Sequence, residues 1–297
     1  MNKDFSSSKT AVGESAREMQ IRRMPFEFPD EIDPHWNPRL PEWSHMANGA
    51  SLAMPFLEPY LIRTLRKASE LIDSETLKAD VKLYMGQEAQ HYQQHRKFND
   101  TLIANGYVEL PEVERRLSED YKNMEENRSL KFNLAYAAGF ESMALGVGHW
   151  LIRDREYLFG DSDTKVASLI LWHFVEEIEH KNVAIDAYNY VYGDYFYRIY
   201  GVLYATFHVL KYSRIAYKLM LERDSLWSNL ASRWRLMKII LRFHKNVLPS
   251  FFEACLPNHH PSKRPDPQWC NEWLDLYQKE GHTLEQIDTK NLTPGFS

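Results

Sequence analysis

Cysteine is nearly absent from this chain. Cys255 and Cys270 are its only two, both towards the C-terminal end, which excludes a disulfide framework and a cysteine-rich zinc site. Long apolar runs are missing as well. The most apolar stretch, YGVLYATFHVLKY at 200–212, is too short to span a bilayer, and too polar at His208 and Lys211. The first twenty residues, MNKDFSSSKTAVGESAREMQ, hold no apolar core of the kind a secretory signal needs, so a cytoplasmic, reducing location is expected. There is no excess of positive charge: the formal net charge is −5, and no nucleic-acid partner is expected. Alternation of apolar and polar residues is nowhere sustained, so no strands are predicted.

What remains is a helical pattern in a chain of ordinary globular composition, 44% hydrophobic and 26% charged. Residues 1–44 read as a disordered, Ser-rich start and then an extended Pro-rich arm that lays Phe26, Phe28 and Trp36 on the body. Residues 45–248 read as a helical bundle domain, with helices over about 46–72, 75–105, 129–158, 162–192, 194–222 and 226–248. Pro55 and Pro59 make the start of the first irregular. DSET (73–76) caps the second, NG (105–106) stops it, and GDSDT (160–164) caps the fourth. Residues 249–297 read as a Pro-rich tail with one short amphipathic helix carrying Trp269, Trp273, Leu274 and Tyr277. The fold class expected is all-α: a four-helix core, two additional C-terminal helices on its side or at a homodimer interface, and extended terminal arms.

The chemistry-bearing residues recur at helical spacing. In GQEAQHYQQH (86–95), Glu88, His91 and His95 share one face of the second helix. Alone, such a face is as readily solvated as metal-binding. WHFVEEIEHKN (172–182) repeats the pattern: His173, Glu177 and His180 share a face, Glu176 lies at its edge and Glu179 points away. Apolar neighbours bury much of that helix, and a buried charged cluster is costly unless paired or metal-bound. Two further helices each offer one carboxylate. Glu141 is the only charged side chain of AYAAGFESMALGVG (135–148), and Glu58 stands among Met54, Leu61, Ile62 and Leu65. The order along four successive helices is Glu, Glu-x-x-His, Glu, Glu-x-x-His, the arrangement of ferritin-like di-iron and di-manganese carboxylate proteins.

At these residues the chain resembles the di-iron carboxylate oxygenases and oxidases of the ferritin-like group. His173, four residues before Glu177, makes the last helix similar to the arylamine N-oxygenase (p-aminobenzoate N-oxygenase) type of site. The whole-chain resemblance is to a bacterial family labelled predicted metal-dependent hydrolase. It is carried by RRMPFEF, FLEPYLIRTLR, QEAQHYQQHRKFN, AYAAGFESMA and WHFVEEIEHKNVAIDAY, over about residues 20–260.

The expected ligands are Glu58, Glu88, His91, Glu141, His173, Glu177 and His180. Glu88 and Glu177 are placed to bridge, and Tyr84, His95 and Glu176 to stand behind the ligands. Tyr136 is a further residue placed to donate a hydrogen bond or an electron. Carboxylates and imidazoles suit two iron ions, or di-manganese or a mixed Mn/Fe pair. The leading reading is activation of dioxygen to oxidise a small apolar or aromatic substrate, with electrons from a separate donor. A two-metal-activated water for hydrolysis is the alternative, and non-catalytic iron binding or a structural bundle is the third.

Overall fold

The computed structural model describes residues 19–29, 31–280, 286–290 and 292. The Ser-rich start, expected to be disordered, lies outside them. The described chain is helical throughout, with no strand among those residues. Its helices are α1 (Pro41–Ser51), α2 (Met54–Ser69), α3 (Glu75–Ala104), α4 (Leu110–Asn127), α5 (Leu130–Arg153), α6 (Arg155–Phe159), α7 (Thr164–Glu179), α8 (Val183–Val191), α9 (Tyr195–Arg223), α10 (Leu230–Ala254) and α11 (Gln268–Glu280). Side-chain caps start most of the long ones. Ser74, Ser129, Asp163, Asp194 and Asn229 accept from backbone N–H groups of the first turns of α3, α5, α7, α9 and α10.

Five elements differ from the sequence expectation, among them the helix expected over 129–158, which breaks at Asp154 into α5 and α6. The helix expected over 46–72 is two, α1 and α2, because Pro55 sits at the N-terminal edge where a missing N–H is harmless. Helix α4 has no counterpart in the expectation. Its charge hides a buried stripe of Leu110, Val113, Leu117, Tyr121 and Met124, spaced three and four apart. The helix expected over 162–192 breaks after Glu179, with His180 as its C-cap, and restarts as α8. Helix α10 runs through Pro249 to Ala254 rather than ending at 248. The carbonyl deprived of a donor there is that of Lys245, an exposed residue that solvent reaches.

The site is set by one ring of packing. Helix α2 lies on α3, α3 on α7, α7 on α5 and α5 on α2, so four helices close around a common axis. Helix α9 crosses the outside of α5 at very short range. A Cβ on Gly201 would stand 2.1 Å from the Ala135 carbonyl oxygen, and one on Gly139 would stand 2.5 Å from the Val202 nitrogen. The Ala/Gly stripe of α5 therefore serves close helix packing, and α10 lies on α5 beyond it. The arm covers the ring from the N-terminal side. Phe26 is buried and meets Trp172 edge-on at 5.5 Å, Trp36 is buried, and Phe28 packs against Phe98.

Candidate metal centre

Each helix of the ring carries its polar residues inward. Glu58 comes from α2, Glu88 and His91 from α3, Glu141 from α5, and His173, Glu177 and His180 from α7 and its C-cap. All seven are buried, none more than 3% exposed. Their ligand-capable atoms converge in three overlapping groups: Glu58, His91 and His173; Glu88, His91 and Glu177; Glu88, Glu141 and His180. His173 Nε2 lies 3.0 Å from Glu177 Oε1 and 3.6 Å from Glu58 Oε1. His180 Nε2 lies 3.3 Å from Glu88 Oε1 and 3.5 Å from both Glu141 Oε2 and Glu177 Oε2. His91 Nδ1 is 3.9 Å from one oxygen each of Glu88 and Glu177. Glu88 and Glu177 thus stand between the two halves.

Four carboxylates in one dry space repel one another. Burial, with Glu177 next, pushes Glu58 and Glu88 well above the usual carboxylate range and lifts Glu141 to about 7. Glu177 goes the other way: burial would raise it, but His180 and His173 outweigh that. His180 is held protonated, because Glu177 and Glu141 overcome its burial. Burial and His173 push His91 far down. Both oxygens of Glu58 and of Glu88, His91 Nδ1, Glu141 Oε2, Glu177 Oε2 and His180 Nε2 have no hydrogen-bond partner. A single orphan of this kind costs about 1–3 kcal/mol, and here eight point into one space. Divalent cations answer all of them, and the donor set of oxygens and imidazole nitrogens fits iron or manganese.

The outer atoms fix which nitrogen each histidine presents. His91 Nε2 donates to Glu176 Oε2 at 2.9 Å, leaving Nδ1 to face inward. Arg22 donates to the other Glu176 oxygen at 2.9 Å and offsets the burial that pushes this carboxyl up. His180 Nδ1 donates at 3.0 Å to Gln87 Oε1, whose amide N–H groups go to Glu179 and to the Gln20 carbonyl. The residue preceding the glutamate of each Glu-x-x-His therefore holds the histidine of the other. Glu179, expected to point away, does leave the centre, yet its side chain is almost wholly covered. It takes two hydrogen bonds from Arg22, at 2.7 and 2.8 Å. Trp273 and Tyr277 of α11 cover that guanidinium.

His173 is set by a longer chain. Asn99 Nδ2 donates to the Ser51 carbonyl, so Asn99 Oδ1 is the acceptor for Ser51 Oγ at 2.7 Å. Ser51 Oγ then accepts from His95 Nδ1 at 2.8 Å, and His95 Nε2 accepts from His173 Nδ1 at 2.6 Å. His173 Nε2 is the ring atom left to face inward, where it meets Glu177 Oε1 at 3.0 Å. His95 thus stands behind a histidine, as expected. Tyr84 donates to Glu141 Oε1 at 2.6 Å. Tyr136 is not at the centre: it bonds Tyr121 and His208 instead. Arg22, Gln87, Ser51 and Asn99 were missed in the sequence, although Gln87 and Glu176 share the position before a motif glutamate.

One side of the centre meets a cavity of about 400 Å³. Ser51, His95, His173 and Glu177 form its inner wall, and Met54, Phe140, Met143, Ile170 and Phe174 make much of the remaining lining apolar, with Ser213, Arg214 and His244 the polar exceptions.

Fold and site together define an all-helical protein with clustered His and Glu groups that could bind metal. The chain belongs to the family described as predicted metal-dependent hydrolase, whose model matches residues 20–264. No curated protein matches the chain, and no solved structure does.

Proposed function

We propose that this protein is a ferritin-like dinuclear metalloenzyme that oxidises an apolar substrate with dioxygen. One position is held by Glu58, His91 and His173, the other by Glu141 and His180, with Glu88 and Glu177 shared. The observation that carries this reading is the junction of centre and cavity. The polar atoms there beside His173 and Glu177 belong to Ser51 and His95, and both are committed to the chain that ends on Asn99. Ser51 and His95, so committed, are not free to receive the oxyanion that acyl or phosphoryl hydrolysis develops. Two ferrous ions bound there would supply the electrons that dioxygen needs. The chain's own residues do the rest. Glu177 turns one oxygen to each half, and the third histidine makes the cavity-side half similar to the arylamine N-oxygenase type. Met54, Phe140 and Phe174 exclude water and seat an apolar substrate, while His95 Nδ1 and Ser51 Oγ hold the protons nearest to it.

The family's description favours a second reading, hydrolysis by a metal-activated water at the same seven residues. The two separate cleanly. Protein loaded with Fe(II) without oxygen is mixed with oxygen, and oxygen uptake and the optical spectrum are followed. Zn- and Mn-loaded protein is assayed in parallel on nitrophenyl esters of graded chain length. Oxygen uptake dependent on Glu177, with no ester turnover, is the expected result. Ester turnover by the Zn or Mn form without oxygen uptake by the iron form overturns the first reading and supports the second.

A further inference from the structure

A second group of ligand-type side chains lies apart from the four-helix centre, where the N-terminal arm passes α1 and the end of α9. His35 Nε2 and His45 Nε2 are 3.0 Å apart, and stand 2.7 and 2.6 Å from one oxygen, Asp224 Oδ2. Tyr107 donates to that same oxygen at 2.7 Å. An imidazole nitrogen offers one in-plane proton or one lone pair, so neither histidine can serve both neighbours of this triangle. Two N–H groups aimed at one oxygen crowd their protons, and two facing lone pairs repel. A single cation above the triangle serves all three atoms, and tetrahedral bonds of about 2.0–2.2 Å would open its sides to about 3.3–3.6 Å. His45 is buried, whereas the His35 side chain is 34% exposed, so a further position faces solvent. We propose that His35, His45 and Asp224 form a zinc(II) site, completed by water or Tyr107. It would tie the arm and the end of α9 to α1, the helix that carries Ser51. The test strips wild type, His35→Gln and Asp224→Asn of metal and titrates each with zinc against a chromophoric chelator. The seven-residue centre is intact in all three. The expected result is one zinc fewer in each variant, with a zinc-dependent rise in melting temperature in the wild type alone. His35→Gln changes a partly exposed side chain, so it decides the question even if Asp224→Asn folds poorly. Equal zinc stoichiometry in wild type and His35→Gln overturns the site.

A different observation concerns α9 and α10. Leu203, Phe207 and Leu210 are exposed along α9 at successive turns, and Trp234, Met237 and Leu241 along α10. Of the ten Lys and Arg on the two helices, Arg198 is buried and Lys211, Lys218, Arg223, Arg235 and Arg242 meet carboxylates, while Arg214, Arg233, Lys238 and Lys245 have no carboxylate partner among the described residues. The exposed residues of the cavity lining, Leu210, Arg214 and His244, come from these same helices, so the cavity opens between them. A second copy docked symmetrically here would set basic face on basic face. An anionic bilayer surface accepts both features, apolar side chains in the acyl boundary and cations among the headgroups. We propose that α9 and α10 seat the protein on anionic lipid with the cavity mouth against the bilayer. Entry of substrate from lipid rests on the function proposed above; the lipid binding does not. The full chain is sedimented with phosphatidylcholine vesicles, with and without phosphatidylglycerol, at low and high salt, and its oligomeric state is measured by sedimentation velocity. A monomer that binds only the anionic vesicles, more weakly in high salt, is expected. Trp234→Ser with Leu241→Ser should weaken that binding roughly tenfold or more, while iron content and oxygen uptake stay unchanged. Absence of vesicle binding, or a dimer that the same double variant dissociates, overturns the proposal. Loss of oxygen uptake with lipid binding intact would fault only the function.

Discussion

The two halves of the centre use the same residue types in different surroundings. The half formed by Glu58, His91 and His173 meets the cavity, and its third histidine is steered by His95, Ser51 and Asn99. No residue of the half formed by Glu88, Glu141 and His180 lines that cavity. Tyr84 donates to its Glu141, and Gln87 holds its histidine. Under the proposed function the difference would separate two tasks, meeting substrate at one position and staying put at the other. Glu88 and Glu177 join them and differ in turn. Neither oxygen of Glu88 has a hydrogen-bond partner, whereas Glu177 Oε1 meets His173 Nε2 at 3.0 Å.

The largest effects should come from the shared residues. Glu88→Gln and Glu177→Ala should each lose both ions, read as metal per chain. Their metal-free stabilities should move oppositely, by about 1–3 kcal/mol. Glu88→Gln removes a repelled carboxylate whose oxygens have no hydrogen-bond partner and stabilises the apoprotein, whereas Glu177→Ala takes the partner from His173 Nε2 and destabilises it. Next come the variants that split the halves. Glu58→Gln should lose the cavity-side ion and Glu141→Gln the other, one ion per chain in each. The outer residues give smaller effects. His95→Ala should weaken the cavity-side ion by about 10- to 100-fold, and Tyr84→Phe should weaken the other only severalfold, for one hydrogen bond of about 1 kcal/mol. Metal titrations of the two variants check the order.

The apoprotein should also lose stability as pH rises above about 6.5. Glu58, Glu88 and Glu141 have folded-state pKa values above the unfolded 4.5. The native state therefore keeps protons that the unfolded chain releases; below about pH 6.5 the low-held His91 and His95 gain stability with rising pH and oppose this, so the net fall is expected above 6.5. Glu177, held low, gives its contribution fully above 4.5 and does not oppose this. His180, held high, gives its contribution fully below 6.5 and loses it only as pH rises through its folded value, so it does not oppose the fall either. Metal loading replaces the protons and should flatten the profile. Melting temperatures of apo and loaded protein across pH test the sign.

The seven central residues were legible because helical spacing puts each motif on one face, and because four inward carboxylates need a common purpose. The surrounding atoms were not. Arg22 reaches Glu176 across 154 positions of sequence, a pairing that no local period encodes. Glu179 was read as outward because spacing gives direction from its own helix but not what covers that direction, here Arg22 beneath Trp273 and Tyr277. Helix α4 was hidden by its charge, though its apolar spacing is regular. The break at His180 carries no proline or glycine signal, since the sequence runs on as His180-Lys181-Asn182.

The central claim is that these seven side chains hold two ions. Iron per chain, measured after anaerobic loading and removal of loosely bound metal, tests it most directly in wild type, Glu58→Gln, Glu141→Gln and Glu88→Gln. The account predicts that the two outer variants each fall by one relative to wild type and that Glu88→Gln falls by two. Iron content unchanged in Glu88→Gln would contradict it.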